Sequence, residues 1–215
     1  MKLNELKILV ADDHSIVRKG IIKSLTSNFP NVVTGEAANA TETMNLVDKE
    51  PWDLVILDIS MPGRSGLDVL KDIKTTHPKT PVIIFSMYPE DQFAVRSIKA
   101  GASAYLSKDI SSKDLETAIT RILEGDLFFT PSIAVLLTGE LQNNKSNKAV
   151  HEILSDREYQ VFLLISGGKS ISDIASELSL SVKTISVYRS IILKKMNLKN
   201  NSEMMYYAFK NNLVS

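Results

Sequence analysis

Cysteine is absent from this chain of 215 residues, and so are long hydrophobic runs. The lack of cysteine excludes disulfides, thiolate chemistry and a cysteine-ligated zinc site. No apolar run approaches the ~20 residues that a helix needs to cross a bilayer. The charged N-terminus leads directly into a strand pattern. We therefore expect a cytoplasmic protein without a membrane partner.

An excess of charge of one sign is also lacking, because 25 Lys and Arg balance 25 Asp and Glu. Residues 151–215 are slightly basic and residues 1–128 slightly acidic. This difference is too small to establish nucleic-acid binding, so such a function must be argued from the positions of the charges. The length suits one large domain or two small ones, each of which would be long enough for its own core.

Short apolar runs alternate with helix-period stretches up to about residue 125. The predicted strands are 7–11, 32–36, 53–57, 82–86 and 103–107. Between them, Thr41 is a plausible N-cap of the second helix, and the fifth helix should begin at Ser111 or Ser112 and stop at Gly125. Alternating strands and helices predict a doubly wound α/β fold with a five-stranded parallel sheet.

The pattern changes after this region. Residues 131–141 suit one helix beginning at Pro131, and the polar run 142–148 has no periodic apolar residues and predicts a linker. Only helix signals follow, near 156–166, 171–178, 182–196 and 202–211. We predict a domain at 1–126, a linker with a short helix at 127–150, and a small all-α, four-helix domain at 151–215.

Five polar residues directly follow predicted strands: Asp12, Asp13, Asp58, Ser86 and Lys108. The carboxyl ends of parallel strands meet at one sheet edge, where open α/β folds place their chemistry. Clustered acids favour a hard cation. Together with a hydroxyl and an ammonium group, they suit phosphoryl transfer to a carboxylate nucleophile.

Each of these residues also has a simpler interpretation. Asp12 or Asp13 can cap the first helix, Lys108 can be a solvated lysine at a strand end, and Ser86 can be a turn residue. Their joint placement at one sheet edge argues against these interpretations. His14 differs, and we interpret it as a surface or packing residue rather than a ligand.

The segments 9–14, 58–63 and 104–108, together with Ser86, resemble the flavodoxin-like receiver domain of bacterial two-component response regulators. The resemblance covers about the first 125 residues. It implies that Asp58 accepts a phosphoryl group from the phosphohistidine of a sensor histidine kinase or a phosphotransfer protein. It also implies no turnover enzyme, only self-phosphotransfer and slow autodephosphorylation.

The same resemblance implies a Mg²⁺ ion as cofactor. Its ligands would be the carboxylates of Asp13 and Asp58 and the backbone carbonyl of Ser60, with Asp12 acting largely through water. In the receiver family, a hydroxyl at the Ser86 position turns toward the new phosphoryl group and an aromatic ring at the Tyr105 position fills the vacated space. The simpler interpretation of Tyr105 is a half-buried aromatic residue in a strand.

In the second domain, residues 170–178, 179–181 and 182–196 predict a helix, a short turn and a second helix, with Ser170 and Ser181 as N-caps. The core residues expected in the second helix are Ile185, Tyr188, Ile192 and Met196. A different face carries Lys183, Val187, Ser190 and Lys194. Such a polar face with basic ends suits the major groove, although ordinary amphipathic surface helices share this pattern.

The segments 154–158, 167–168, 174–175 and 181–185 resemble the LuxR-type helix-turn-helix, which covers roughly residues 150–213. A receiver joined to this module is the arrangement of the NarL/FixJ group of transcription regulators, which implies double-stranded DNA as a partner. The predicted DNA contacts are Lys183, Thr184, Ser186, Val187, Ser190 and Lys194. Three positions depart from common family residues: Tyr188, where His is frequent, and Ser186 and Ser190, where longer polar or basic residues are frequent.

The last helix region is rich in apolar residues, namely Met204, Met205, Tyr207, Ala208 and Leu213. Most of these should pack inside the domain. The resemblance makes part of this surface a contact in a homodimer that forms in the active state.

Alternative functions are a regulator that binds DNA regardless of phosphorylation and, less favoured, a phosphatase with an aspartyl-phosphate intermediate. The phosphatase alternative is weakened by Ser60, because such enzymes usually carry a second Asp two residues after the nucleophile. A nucleotide-binding oxidoreductase is weaker still, because no glycine-rich turn follows the first strand.

Overall fold

The computed structural model describes residues 5–143 and 149–214, which fall into two compact units divided between residues 137 and 138. Residues 144–148 of the predicted linker lie outside the described residues, as does Ser215. The domain limits at 126 and 150 stay predictions.

The first unit contains a parallel sheet whose strand order is β2-β1-β3-β4-β5, counted over residues 5–143. The strands are β1 Leu6–Ala11, β2 Val32–Ala37, β3 Leu54–Leu57, β4 Val82–Ser86 and β5 Ala104–Ser107. The helices between and after them are α1 Ser15–Asn28, α2 Ala40–Lys49, α3 Gly66–Thr76, α4 Glu90–Lys99 and α5 Ser112–Leu123. The α/β class is confirmed, and every predicted strand lies within one residue of its observed bounds.

Strands β1, β3 and β4 are almost completely buried because helices cover the sheet on both faces. One core joins the sheet to α1 and α5 through Ile8, Ile56, Leu25 and Ile119, all at most 1% exposed. Burying such a side chain contributes about 1.5–3 kcal/mol. The rigid layer supports the carboxyl ends of the strands.

The start of α2 corrects one sequence prediction. Asn39, not Thr41, is the N-cap, and its side chain accepts a hydrogen bond from Glu42 N at 2.9 Å. The Glu42 carboxylate accepts one in return from Ala38 N at 2.7 Å. Asn caps helices better than Thr, and the acid in the first turn favours the earlier start. The prediction for α5 is confirmed, because Ser111 is its N-cap and Gly125, at φ 98°, follows its end.

The segment after α5 returns to the sheet before α6, Pro131–Asn143, begins. Phe128 N donates to Ser103 O at 3.1 Å, and Phe128 pairs with Ala104 in a parallel bridge beside β5. The Thr130 hydroxyl donates to the Glu90 carboxylate of α4 at 2.9 Å. The buried side chain of Ile133 anchors the first turn of α6. The predicted helix beginning at Pro131 is therefore present and is held against α4.

The second unit contains helices joined by short turns, and no strand is present within residues 149–214. A short 3-10 helix, Val150–Ile153, precedes α7 Asp156–Ser166, α8 Ile171–Glu177, α9 Val182–Met196 and α10 Asn201–Lys210. The four predicted helices are confirmed to within one residue, and the 3-10 helix was not predicted. Fully buried side chains from different helices form its core, including Phe162, Ile174, Ile185, Ile192, Met204 and Ala208.

Helices α8 and α9 are connected by a short turn in which Ser179 has a φ of 51°. Ser170 and Ser181 cap the two helices as predicted, accepting from Asp173 N at 3.1 Å and Thr184 N at 3.0 Å. Of the predicted core residues of α9, only Tyr188 is half-buried rather than buried. In α10, Met204 and Ala208 are buried, but Met205 is 43% exposed, so the expectation for that helix holds only in part.

Candidate functional site

The polar residues at the strand ends are positioned by backbone hydrogen bonds that continue the sheet. Asp58 N donates to Ala11 O at 2.9 Å, and Asp12 N donates to Ala37 O at 3.1 Å. At the other side of the sheet, Lys108 N donates to Ser86 O at 2.9 Å. The site residues therefore extend from the same sheet edge, as the sequence predicted.

Lys108 joins two of the acids. Its Nζ lies 2.7 Å from Asp12 Oδ2 and 3.0 Å from Asp58 Oδ2, and none of the three side chains is more than 5% exposed. Burial raises the pKa of Asp58 to about 6, and the charge of Asp12 acts in the same direction while Lys108 opposes it. Burial disfavours the Lys108 ammonium group, but Asp58 and Asp12 outweigh it and raise the pKa of Lys108.

The central acid is incompletely hydrogen-bonded. Asp58 is 2% exposed, and although burial raises its pKa, a backbone hydrogen bond from Ser60 acts to lower it. Lys108 pairs with its Oδ2, but Oδ1 has no hydrogen bond of normal geometry to a described residue. Such buried polar atoms are rare and call for an explanation such as an ion. The backbone is close-packed here as well, since a Cβ on Gly66 would lie 1.9 Å from Asp58 O. Gly66 thus allows the start of α3 to approach the pocket.

Asp13 and His14 complete the acidic rim. The His14 Nδ1 atom lies 2.8 Å from Asp13 Oδ1 and 3.5 Å from Asp12 Oδ1. Asp12, Asp13, His14 and Asp58 each offer one ligand atom, and these four atoms lie within 4.8 Å of one another. The acids are therefore compatible with a divalent cation, because their oxygen atoms are ligands that Mg²⁺ accepts.

Neither aspartate caps the first helix through its side chain. The N-cap of α1 is His14, which makes no side-chain cap hydrogen bond. Asp12 Oδ1 instead accepts from His14 N at 2.8 Å and so stays folded over the loop. The expected surface position of His14 is confirmed, since its side chain is 64% exposed, but its ring lies beside the acids, where its nitrogen could serve as a ligand.

Arg18 was missed in the sequence. Its Nη1 donates to Asp12 O at 2.7 Å, and its Nε donates to Glu36 Oε2 at 2.9 Å. It thereby braces the loop that carries the acids against β2. Its position on α1, four residues after His14, is the signal in the sequence, because residues at that spacing share a helix face.

Ser86 and Tyr105 are connected through the backbone of Tyr88. The Ser86 hydroxyl accepts from Tyr88 N at 3.2 Å, and the Tyr105 hydroxyl donates to Tyr88 O at 2.7 Å. Tyr105 is fully buried, so its interpretation as a half-buried strand residue is wrong. Burial raises the pKa of Tyr105. The Tyr88 ring packs against Phe93 of α4 with ring centroids 4.7 Å apart.

The outer face of α9 presents the predicted DNA contacts. Thr184 is half-buried, and the other five residues of that set are exposed: Lys183, Ser186, Val187, Ser190 and Lys194. No acidic side chain in the described part of the chain forms an ion pair with Lys183 or Lys194. Lys195 points elsewhere, because its Nζ lies 2.7 Å from Glu158 Oε2 of α7.

The two serines of this face are bonded to their own helix. The Ser186 hydroxyl donates to Val182 O at 2.9 Å, and the Ser190 hydroxyl donates to Ser186 O at 3.0 Å. In this orientation each hydroxyl can accept a hydrogen bond from DNA but cannot donate one, because its proton is bonded to the helix.

Comparisons with known proteins agree with this arrangement. The receiver domain model of response regulators matches residues 8–120, and the model of bacterial regulatory proteins of the luxR family matches residues 152–208. Over 215 residues the chain is 33% identical to the oxygen regulatory protein NreC of Staphylococcus carnosus, covering 97% of this chain and 99% of the relative. It is 31% identical over 209 residues to the response regulator GacA of Pseudomonas syringae, covering 97% and 98%.

A solved structure is similar over almost the whole chain. It is RcsB from Salmonella enterica serovar Typhimurium, bound to promoter rprA in the presence of the phosphomimetic BeF3-, with 27% identity and a TM-score of 0.62. The match covers 95% of this chain and 98% of RcsB. The chain therefore belongs to the two-component response regulators of the NarL/FixJ type, with a receiver and a LuxR-type DNA-binding domain. Within the described residues, no helix is long and apolar enough to span a membrane.

Proposed function

We propose that this regulator is switched by Mg²⁺-dependent phosphorylation of Asp58, which controls its dimerisation and its sequence-specific binding to DNA in the cytoplasm. The phosphoryl donor is a sensor histidine kinase or a phosphotransfer protein. The observation that carries the proposal is the buried Asp58 carboxylate, paired with Lys108 on Oδ2 and with no hydrogen bond of normal geometry from any described residue to Oδ1. The protein catalyses only its own phosphotransfer and slow dephosphorylation.

The pocket supplies the groups that this transfer requires. With a pKa of about 6, Asp58 is mostly ionised at neutral pH, as a nucleophile must be. A carboxylate oxygen of Asp58 forms a bond to phosphorus, and the phosphorus–nitrogen bond of the donor breaks as its imidazole keeps the electron pair and takes up a proton. Lys108 lies where its ammonium group neutralises charge on the transferred phosphoryl oxygens.

The cation would be held by Asp13, Asp58 and the Ser60 carbonyl, with Asp12 acting through water. When bound, Mg²⁺ supplies positive charge that favours the approach of the phosphoryl group to a carboxylate. The buried Oδ1 of Asp58, which no described residue contacts with a hydrogen bond of normal geometry, fits this role.

The response begins at Tyr88 in this proposal. If the Ser86 hydroxyl turns toward the phosphoryl group, its hydrogen bond with Tyr88 N breaks. The backbone of Tyr88 is then free to move, and with it the carbonyl to which the Tyr105 hydroxyl donates. The Tyr88 ring contacts Phe93, so the change reaches α4. A phosphoryl group adds a charge of about −1.5 to −2. This charge is sufficient to shift the equilibrium between the arrangement with the Ser86 hydroxyl on Tyr88 N and the one with the hydroxyl on the phosphoryl group.

The output is α9 in the major groove, with the contact residues predicted from the sequence. Its exposed lysines position the helix on phosphates. An active homodimer would read two half-sites, and α10 offers exposed apolar side chains for its contact, including Tyr206 and Phe209. The structure of RcsB, a similar protein, bound to a promoter in the presence of the phosphomimetic BeF3- supports DNA as the partner of the activated form.

Phosphorylation with acetyl phosphate and Mg²⁺ tests the proposal directly. The wild-type protein should gain one phosphoryl group by intact mass and bind DNA more tightly in a mobility-shift assay, whereas Asp58→Asn should show neither response. Asp48→Asn is the control, because Asp48 is an exposed acid on α2 whose neighbour is His77.

Three results would contradict parts of this proposal. A phosphorylated Asp58→Asn protein would place the phosphoryl group elsewhere. Phosphorylation without a change in DNA affinity would favour a regulator that binds DNA regardless of phosphate. Continued release of inorganic phosphate over many turnovers would favour the phosphatase alternative.

A further inference from the structure

The imidazole of His14 lies at the rim of the acidic pocket and has no role in the proposed transfer. We infer that His14 is a nitrogen ligand for a divalent cation, so that this pocket binds borderline ions such as Co²⁺ and Zn²⁺ through a mixed oxygen and nitrogen donor set. This inference rests on the proposed function in one respect, namely that the acids of the pocket hold a divalent cation.

The geometry suits a shared ion. Adjacent ligands that each lie ~2.1 Å from a metal are about 3 Å apart when their bonds are perpendicular. His14 Nδ1 and Asp13 Oδ1 are 2.8 Å apart, and Asp12 Oδ1 lies 3.5 Å from the same nitrogen. The set that includes Asp58 spans at most 4.8 Å. Small side-chain movements therefore bring His14 Nδ1 and oxygens of Asp13 and Asp58 around one cation, with Asp12 acting through water.

A second observation points into the same space. Asp58 is 2% exposed, and within residues 5–143 and 149–214 its Oδ1 has no hydrogen bond of normal geometry. Lys108 contacts Asp12 and Asp58 through their Oδ2 atoms, so it leaves Asp58 Oδ1 to another cation. Asp12 Oδ1 already accepts a hydrogen bond from His14 N at 2.8 Å. When Asp12, Asp13 and Asp58 are ionised, their three negative charges exceed the single charge of Lys108.

The imidazole nitrogen of His14 determines which cations the pocket binds more tightly. Imidazole suits Zn²⁺, Ni²⁺ and similar ions, whereas carboxylate, carbonyl and water oxygens suit Mg²⁺. Removing His14 should therefore weaken the binding of Co²⁺ or Zn²⁺ much more than that of Mg²⁺. If His14 only oriented Asp13, its removal would weaken all of these ions by similar factors.

The test uses the full chain, its His14→Gln variant and a matched control, His77→Gln. His77 also pairs with an aspartate on the surface, since its Nε2 lies 3.1 Å from Asp48 Oδ1. Calorimetric titrations measure the affinity for Co²⁺ and for Mg²⁺, and the visible absorption of bound Co²⁺ reports its ligands. Because His14 is 64% exposed, the substitution should leave the fold intact.

We expect His14→Gln to lower the affinity for Co²⁺ by at least roughly tenfold, because the loss of a ligand should cost no less than the 10–100-fold typical of the residues that orient ligands, and to change its absorption spectrum. The affinity for Mg²⁺ should change by less than about threefold, and His77→Gln should match the wild type. An unchanged Co²⁺ affinity in His14→Gln would overturn the inference. Equal losses for Co²⁺ and Mg²⁺ would also overturn it, in favour of a role in orienting Asp13.

Phosphorylation by acetyl phosphate in Mg²⁺ is measured on the same samples. His14-dependent Co²⁺ binding without phosphorylation would reject the proposed function and support the metal ligand. Phosphorylation without His14-dependent Co²⁺ binding would do the reverse. The two ideas can therefore fail separately.

Discussion

The pocket at the sheet edge and the outer face of α9 use charge in opposite ways. In the pocket, Lys108, Asp12 and Asp58 are buried and neutralise one another in part within the folded chain. On α9, Lys183 and Lys194 are exposed, and no described acidic side chain pairs with them. The pocket therefore has its chemistry arranged before a ligand arrives, whereas α9 presents charge that a phosphate backbone would pair.

This difference has an energetic consequence. A buried carboxylate whose pKa is raised is less stable when ionised than it would be in water, so Asp58 destabilises the folded protein at neutral pH. Exposed lysines cost little, because water solvates them. Substitutions in the pocket should therefore change stability, and those on α9 should change DNA binding alone.

The largest effect is expected for Lys108→Met. This substitution leaves two buried carboxylates without their counter-charge, so the free energy of unfolding should fall by about 3–5 kcal/mol in urea titrations without divalent cations. Lys195→Met is the control in the second unit, where a lysine whose side chain is 40% exposed pairs with Glu158. This substitution should lower the free energy of unfolding by about 1 kcal/mol or less. Similar losses in both variants would remove the distinction between the two regions.

The next effect concerns pH. The pKa of Asp58 rises from 3.8 in the unfolded chain to about 6 in the folded protein, so the folded state binds more protons between these values. Stability should therefore decrease as pH rises from 4 to 6, by about 3 kcal/mol from this group, and level off above pH 6. Urea titrations of the wild type and Asp58→Asn measure the difference, because the variant lacks this contribution. The same slope in both proteins would contradict a raised pKa at Asp58.

A smaller effect is expected for Lys194→Ala, which removes one predicted phosphate contact. DNA affinity should fall by roughly 1 kcal/mol, or about fivefold, and the salt dependence of log K should decrease by about one unit of slope. Lys19→Ala is the control, because it removes the same charge from an exposed position on α1. Equal changes in both variants would indicate a general charge effect instead of a contact made by α9.

The smallest effect is expected for Ser190→Ala. Its hydroxyl already donates to Ser186 O, so removing it should change the affinity for DNA by less than about threefold and leave stability unchanged within about 0.5 kcal/mol. Fluorescence anisotropy with a labelled operator measures this. A tenfold loss would show that the hydroxyl rotates away from its helix to contact DNA.

Much of the fold could be predicted because its signals are local. Strand β4 was predicted with its observed bounds, since a run of buried residues ends at a polar one, and the caps at Ser111 and Ser181 follow from short side chains before apolar periodicity. The cap at Asn39 was missed because Thr41 offers a similar signal two residues later. Asn39 is the cap because Glu42 N donates to its side chain while the Glu42 carboxylate accepts from Ala38 N.

The sequence by itself determined the order of helices and strands and the residues that end each strand, because hydrophobic periodicity and capping act between near neighbours. Tertiary structure decided which of those residues touch. Lys108 reaches Asp12 and Asp58, Tyr105 becomes fully buried, and His14 turns toward Asp13. The contacts of Lys108 and the burial of Tyr105 involve segments far apart in the chain, so they depend on strand register and on the packing of helices against the sheet. The contact of His14 with Asp13 depends on how one loop folds.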